Sequence, residues 1–221
     1  MNKKFYFPTF RRYYIDNMLH TTHFYGHVID IGGKKINKRG IFRPPVKKID
    51  SWKYVNIDKT TRPDYLVRAD NIPVENETFD FALMAEILEH LENPEKVLLE
   101  INRILKKQAY LIITMPFLCS IHGDPNDYQR WLPQKFEIEL DKSGFAIKQM
   151  DAMGSFFAVL YDLLHVSLGM SSKNKFSLKN RLIYKLILPV LKRLFFVLDK
   201  YYIYKNKWIT TGYYIVAQKI S

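Results

Sequence analysis

The chain of 221 residues contains a single cysteine, Cys119, which excludes an intrachain disulfide and a thiolate-based metal cluster. Glycine is sparse, at 9 residues, and the Gly-x-Gly-x-x-Gly pattern of a dinucleotide-binding turn is absent. That absence argues against a nicotinamide-dependent oxidoreductase. Acidic residues are outnumbered, with 22 Asp and Glu against 34 Lys and Arg and a formal charge of +12. Such an excess favours anionic partners: nucleic acid, an acidic membrane surface or a phosphorylated substrate. No apolar run reaches the roughly 18–20 residues of a membrane span before charges interrupt it. Residues 1–14 are basic and aromatic and lack the roughly 7–15-residue apolar stretch of a signal peptide. The expected location is therefore the cytoplasm, with peripheral attachment at the inner face of a membrane.

What the chain has is enough apolar material for a sizeable core, at 48% hydrophobic and 15% aromatic. A short helix is predicted around Phe10–Phe24 within an N-terminal segment spanning 1–25. His27–Gly33 is an apolar run that ends in Asp30, Ile31, Gly32 and Gly33, the pattern of a buried parallel strand entering a tight turn. Lys34–Lys53 is basic, carries Pro44-Pro45 and reads as loop. Further strands are expected at Tyr54–Asp58, Asp64–Ala69, Phe79–Ala85, Ala109–Met115, Phe145–Met150 and Thr210–Lys219. Helices are expected at Pro94–Leu105, where Val97, Leu98, Ile101 and Leu105 share a face, and at Pro133–Ser143, stopped by Gly144. Glu86–Leu91 reads as a helical turn. The alternation predicts an α/β fold: a Rossmann-like, seven-stranded, mostly parallel sheet with helices on both faces. Its domain would span 26–150 and 208–221.

Residues 151–207 read as a helical insert that the core does not need. Phe156–Met170 and Leu178–Tyr204 are strongly apolar, and the second carries Arg181, Lys185, Lys192, Arg193 and Lys200. Pro189 should kink or split it. Two readings stay open: a cap or dimer element, or a basic helix lying in an anionic membrane surface through 178–204.

An ordered series of motifs points to a family. It comprises Asp30-Ile31-Gly32-Gly33, Asp58, Asp70-Asn71-Ile72-Pro73, Phe79-Asp80, Glu86-Ile87-Leu88-Glu89-His90-Leu91 and Leu105-Lys106-Lys107. Over roughly residues 26–150 and the last strand the chain resembles class I S-adenosylmethionine-dependent methyltransferases of the type 11-like group. The resemblance implies S-adenosylmethionine as cofactor. Asp30, Gly32 and Gly33 would lie at its amino-acid end, and Asp58 would accept from both ribose hydroxyls. Asp70 would take the adenine amino group, flanked by Asn71 and Ile72, and Glu86 would face the methyl-transfer site. Open parallel sheets do bind ligands at strand carboxyl ends, and glycine allows close backbone approach. Two departures stand out: Lys34-Lys35 replaces further glycine, and 28 residues separate Asp30 from Asp58, against roughly 20 in a standard dinucleotide unit.

The stretch from Phe117 to Trp131 resembles the loop of methyltransferases found with bacterial surface-polysaccharide enzymes, through Pro116-Phe117, His122-Gly123-Asp124-Pro125, Asp127-Tyr128 and Arg130. The resemblance implies an oxygen acceptor on a sugar, polysaccharide or lipid-linked glycan. His122 is the candidate base, since its ordinary pKa is near 6.5, and Asp124 would orient it or bind substrate hydroxyls. Tyr128, Arg130 and Trp131 are candidates for binding sugar or phosphate. In the plainer reading, Asp127 and Arg130 staple the loop. Glu86, Glu89, His90 and His122 also offer carboxylate and imidazole donors, but neighbouring residues at a helix start do not all point one way, so no metal is expected. Nucleic acid is disfavoured as a substrate by Ala85-Glu86-Ile87-Leu88, which replaces the Asn/Asp-Pro-Pro-Tyr/Phe of base-amino methylation. A non-catalytic relative that uses the fold to bind a membrane or protein partner is the competing class, with Lys34-Lys35 as its best support.

Overall fold

The computed structural model describes residues 9–36, 38–123, 126–170, 186–203 and 208–220. Its centre is a six-stranded sheet of β1 (His27–Ile31), β2 (Ser51–Val55), β3 (Phe79–Ala85), β4 (Leu105–Pro116), β5 (Phe145–Ala152) and β6 (Gly212–Lys219), in the order β2-β1-β3-β4-β6-β5. Strands β2, β1, β3 and β4 are parallel, and β6 runs antiparallel between β4 and β5. The chain leaves β1 toward one edge at β2 and returns on the other side of β1 at β3. That reversal opens a crevice at the strand carboxyl ends.

Side chains alternate across the strands, as their period of two requires. Ile29, Ile31, Ala82, Met84, Leu111 and Ile113 face one layer, built by α2 (Pro94–Ile104) and α3 (Pro133–Lys142). Val28, Phe81, Leu83 and Ile112 face the other, built by α1 (Phe10–Thr21), α4 (Phe156–Met170) and α5 (Leu188–Tyr202). Helix α2 starts at Pro94 and buries Val97, Leu98, Ile101 and Ile104.

Three expectations are corrected. Only six strands form among the described residues, because Asp64–Ala69 contributes no more than one isolated bridge, Val55 to Tyr65. The segment is tied across the end of β2 instead: Asp64 and Tyr65 N–H both donate to the Tyr54 carbonyl at 2.9 Å, and the Asp64 carboxylate accepts from Tyr54 N–H at 3.0 Å. Strand β2 ends at Val55 rather than Asp58, since Asn56 turns the chain by accepting from Asp58 N–H at 2.9 Å. The insert's helices are not appended to a finished core. Phe10 of α1 packs its ring against Tyr161 of α4 and Phe196 of α5, at centroid distances of 5.1 and 6.2 Å. Pro189 stands in the first turn of α5, where its missing N–H costs nothing. Residues 171–185, with Arg181 and Lys185, lie outside the described residues.

Buried carboxylates lock this layer. Asp199 of α5 accepts from Ser155 N–H (2.8 Å), Ser155 Oγ (2.6 Å), Ala158 N–H (3.1 Å) and the Tyr14 hydroxyl, and so caps the start of α4. Asp162 of α4 accepts from Phe10 and Arg11 N–H at 2.6 and 2.9 Å, and so caps α1. Removing Asp199 would strand several buried donors, each costing about 1–3 kcal/mol. Asp199→Ala should therefore lose about 3 kcal/mol or more in urea unfolding; a loss below about 1 kcal/mol would show that the caps carry little.

Candidate active site

A cavity of about 560 Å³ opens where β1, β2 and β3 end. Asp30, Gly32, Gly33, Asp58, Asp70, Glu86, His90, His122 and Tyr128 all line it. The turn after β1 is held from two sides. Gly32 N–H donates to Val55 O at 2.8 Å, and Asn56 Nδ2 donates to Gly32 O and Gly33 O at 2.9 and 3.1 Å. Both glycines are required. Gly32 has φ +73, and a Cβ on Gly33 would stand 2.3 Å from the Asp30 carboxyl carbon. Asp30 lies beneath the turn and accepts from Trp52 Nε1 at 3.3 Å. Burial pushes its pKa up to about 7, against the lowering effects of Trp52 and Lys38.

Asp58 lies three residues past β2, exposed, and caps a 3-10 turn, Lys59–Thr61, through Thr60 N–H and Oγ1 at 2.8 and 2.7 Å. These bonds hold its pKa below the usual range, so it is ionised at neutral pH. Asp70 pairs with Arg68 at 3.0 Å and is likewise held low. Asn71 is exposed, and Ile72 is buried in the core with its N–H on Glu100 at 2.7 Å; neither lines the cavity. Where a first crossover helix would stand, a basic loop forms the wall instead, with Lys34, Lys38, Arg39 and Phe42 along the cavity.

Glu86 directly follows β3 with φ +58, a left-handed backbone that costs about 1–3 kcal/mol in a non-glycine residue. Arg11 of α1 pairs with it, Nε to Oε2, at 3.2 Å. The sequence gives no local signal for this pairing, which joins groups far apart in the chain. Arg12 reaches the same cavity. Glu89, in the 3-10 turn Leu88–His90, is fully buried and both its oxygens lack a hydrogen-bond partner. Burial, with Glu86 adding, drives its pKa well above the carboxylate range.

The loop after β4 crosses this turn. Tyr128 N–H donates to Glu89 O at 2.8 Å, and Gln129 Nε2 holds Leu88 O and Leu91 O at 3.0 and 2.9 Å. His122 Nδ1 is 3.3 Å from Ser120 O and 3.5 Å from Asp127 Oδ2. Burial, with Arg11 second, lowers its pKa and keeps the ring neutral. Asp127 and Arg130 form a two-pronged pair that draws the Asp127 pKa down to about 2. Arg130 is committed to this staple, and Trp131 is buried against Phe136 with centroids 5.2 Å apart; neither lines the cavity. Asp124 lies outside the described residues.

The fold and the cavity define a ligand-binding α/β domain with its site at the strand carboxyl ends. Residues 49–113 match the model of a family described as methyltransferase domain. An uncharacterised protein of Methanocaldococcus jannaschii is 38% identical over 48 residues, a match spanning 22% of this chain and 23% of the relative. Among solved structures, the cyclase SpnF superposes with a TM-score of 0.56 at 16% identity, over 93% of this chain and 79% of that one. A Haemonchus contortus phosphoethanolamine N-methyltransferase, solved with phosphomonomethylethanolamine and S-adenosylhomocysteine, gives 0.55 at 15% identity, over 96% of this chain and 53% of that one. An Archaeoglobus fulgidus SAM-dependent methyltransferase gives 0.52 at 14% identity, over 94% of each chain. These likenesses establish the fold. The methyltransferase-domain match falls within that fold, over residues 49–113.

Asp30 yields a pH signature. Its folded pKa of about 7 lies above the ordinary 3.8, so the native state binds the proton more tightly. The stability it contributes is whole below about pH 4 and declines as pH rises to about 7. Asp30→Asn removes that decline. Its melting midpoint relative to wild type should climb between about pH 4 and 7 and then level off in thermal scans. A constant offset across that window would contradict the burial argument.

Proposed function

We propose that the chain is an S-adenosylmethionine-dependent methyltransferase whose acceptor is an oxygen on a sugar, polysaccharide or lipid-linked glycan. The observation that carries the reading is the cavity at the ends of β1–β3, floored by the Gly32-Gly33 turn and edged by Asp58 and Glu86. The residues fit the cofactor. Two glycines give the backbone access, and the volume lies within the roughly 300–1,000 Å³ of small-molecule sites. The methyltransferase-domain match over 49–113 and cofactor-bound structural neighbours support the same cofactor. We assign 26–150 and 208–221 to the cofactor domain, 1–25 to an N-terminal segment and 151–207 to a helical insert, whose helices α4 and α5 pack with α1.

Bound there, the cofactor supplies a methyl group on a sulfonium centre. Asp58, ionised and at the rim, would accept hydrogen bonds from the ribose hydroxyls. Asp70 would serve the adenine amino group, and Asp30 with Gly32 and Gly33 would support the amino-acid end. On the acceptor side, Tyr128 lines the cavity half-exposed and offers a ring and a hydroxyl to a sugar. His122, neutral and turned by Ser120 and Asp127, would take the acceptor's hydroxyl proton at Nε2. Positioning supplies much of the rate for such a displacement.

Calorimetric titration with S-adenosylmethionine and S-adenosylhomocysteine tests the first half. Micromolar binding is expected, weakened at least about tenfold in Asp58→Ala, because a two-hydroxyl acceptor is lost. A folded wild type that binds neither compound overturns the enzyme reading in favour of a non-catalytic module.

A second observation supports contact with a membrane surface. Val190, Leu194, Val197 and Tyr201 are exposed and fall on one face of α5, opposite the buried Leu188, Phe196 and Asp199. Arg193 and Lys200 are exposed beside that stripe. No helix among the described residues is long and apolar enough to cross a membrane. An apolar stripe with basic flanks suits an anionic interface. The chain should co-sediment with vesicles rich in phosphatidylglycerol and not with phosphatidylcholine alone, and Leu194→Glu with Val197→Glu should abolish it. Equal recovery with and without anionic lipid would remove the membrane reading and leave the methyl-transfer reading intact.

A further inference from the structure

Glu89, His90 and His122 come together where the two imidazoles line the cavity, although His122 comes from a different loop. Glu89 Oε1 is 3.7 Å from His90 Nε2 and 4.0 Å from His122 Nε2, and the three donor atoms lie within 4.8 Å of one another. Ligand atoms around a tetrahedral zinc stand about 3.4 Å apart, a contraction within reach of side-chain rotation. The two rings are edge to face, with centroids 5.4 Å apart.

Each imidazole is oriented through its other nitrogen. His90 Nδ1 bonds the Asn126 carbonyl at 2.5 Å, and His122 Nδ1 faces the Ser120 carbonyl and the Asp127 carboxylate. A carbonyl accepts only from N–H, so the proton is fixed on Nδ1 and the Nε2 lone pair of each ring is directed at Glu89. This outer arrangement is the one that metal-binding histidines use. Glu89 supplies the second, independent observation. It is fully buried, and neither oxygen has a hydrogen-bond partner. The nearby guanidinium groups are engaged elsewhere, Arg11 by Glu86 and Arg130 by Asp127. A buried carboxylate without a donor costs free energy that a cation would recover.

We propose that Glu89, His90 and His122 form a binding site for one divalent transition-metal cation on the wall of the cavity. Two imidazoles and one carboxylate select zinc, cobalt or manganese over calcium and magnesium, which demand mostly oxygen ligands. His90 and His122 both line the cavity, so the cation would be open to a hydroxyl-bearing acceptor from that side. The Nε2 of His122 holds either the cation or a proton, and its role as a base therefore belongs to the metal-free chain. The site rests on donor geometry alone and stands whether or not the chain transfers methyl groups.

The test uses the full chain, stripped with chelator and titrated with Co²⁺ alone. One equivalent should bind with visible ligand-field bands, and Zn²⁺ should displace it and raise the melting midpoint. Glu89→Gln, His90→Ala and His122→Ala should each weaken Co²⁺ binding by at least about 100-fold. His23→Ala, on an exposed residue away from the site, should not. Circular dichroism identifies the folded variants, and Glu89→Gln preserves side-chain shape. Absence of saturable Co²⁺ binding in the wild type, or unchanged affinity in folded Glu89→Gln, overturns the proposal.

Discussion

A relay of buried carboxylates positions the cavity wall. Asp199 of α5 caps α4, Asp162 of α4 caps α1, and Asp16 of α1 accepts from Ile41 and Phe42 N–H at 3.0 and 3.1 Å. Each step satisfies backbone donors that a helix start or loop would otherwise leave unpaired, and each carries the position of one element to the next. At its end stand Arg11 and Arg12, on the wall, and the loop containing Phe42, which closes the side where a crossover helix is missing. The device has a cost. Burial pushes the Asp162 pKa up to about 7, so the group that caps α1 becomes the fully charged acceptor only in alkaline solution.

This relay explains which parts of the molecule were legible in sequence. Strand cores were, because Val28-Ile29 and Leu111-Ile112-Ile113 declare buried parallel strands by composition alone. The Gly32-Gly33 turn and the position of Glu86 just past β3 were legible for the same reason, since they follow from where an apolar run stops, whereas Asp58 falls three residues beyond the end of β2. Asp64–Ala69 misled because its Tyr65, Val67 and Ala69 alternate as a strand does, whereas the Asp64 carboxylate captures the Tyr54 N–H and ends the ladder after one bridge. The helical insert misled because its apolar residues announce burial without saying against what. Only the coordinates show that Asp199 and Asp162 reach back to α4 and α1.

The cavity wall built by the loop after β4 was less legible, because its groups act through contacts between distant segments. In sequence, Tyr128, Arg130 and Trp131 look equivalent: large polar or aromatic residues in one loop. In the fold they separate. Trp131 fills the core beside Phe136, Arg130 is held by Asp127, and Tyr128 alone of the three reaches the cavity. Glu89 and His90 are adjacent in a 3-10 turn, whose tight pitch turns successive side chains by about 120°. That pitch is why they seemed unable to serve one centre. The loop after β4 resolves the difficulty by bringing His122 in from the other side, so that both Nε2 atoms face the same carboxylate oxygen.

Two penalties thus fall within one short stretch: a left-handed backbone at Glu86 and a buried carboxylate without a donor at Glu89. A fold optimised for stability alone would place glycine at the first and an apolar side chain at the second. Their concentration at the cavity, together with the bonds from Tyr128 and Gln129 that pin this turn, points to chemistry rather than packing as the reason for them. The shared architecture cannot identify that chemistry. A structural neighbour named as a cyclase and others named as methyltransferases superpose to a similar extent, with TM-scores of 0.52 to 0.56. What distinguishes this chain is therefore the far wall of the cavity, where Glu86, His90, His122 and Tyr128 line it and Glu89 lies buried beside the two imidazoles.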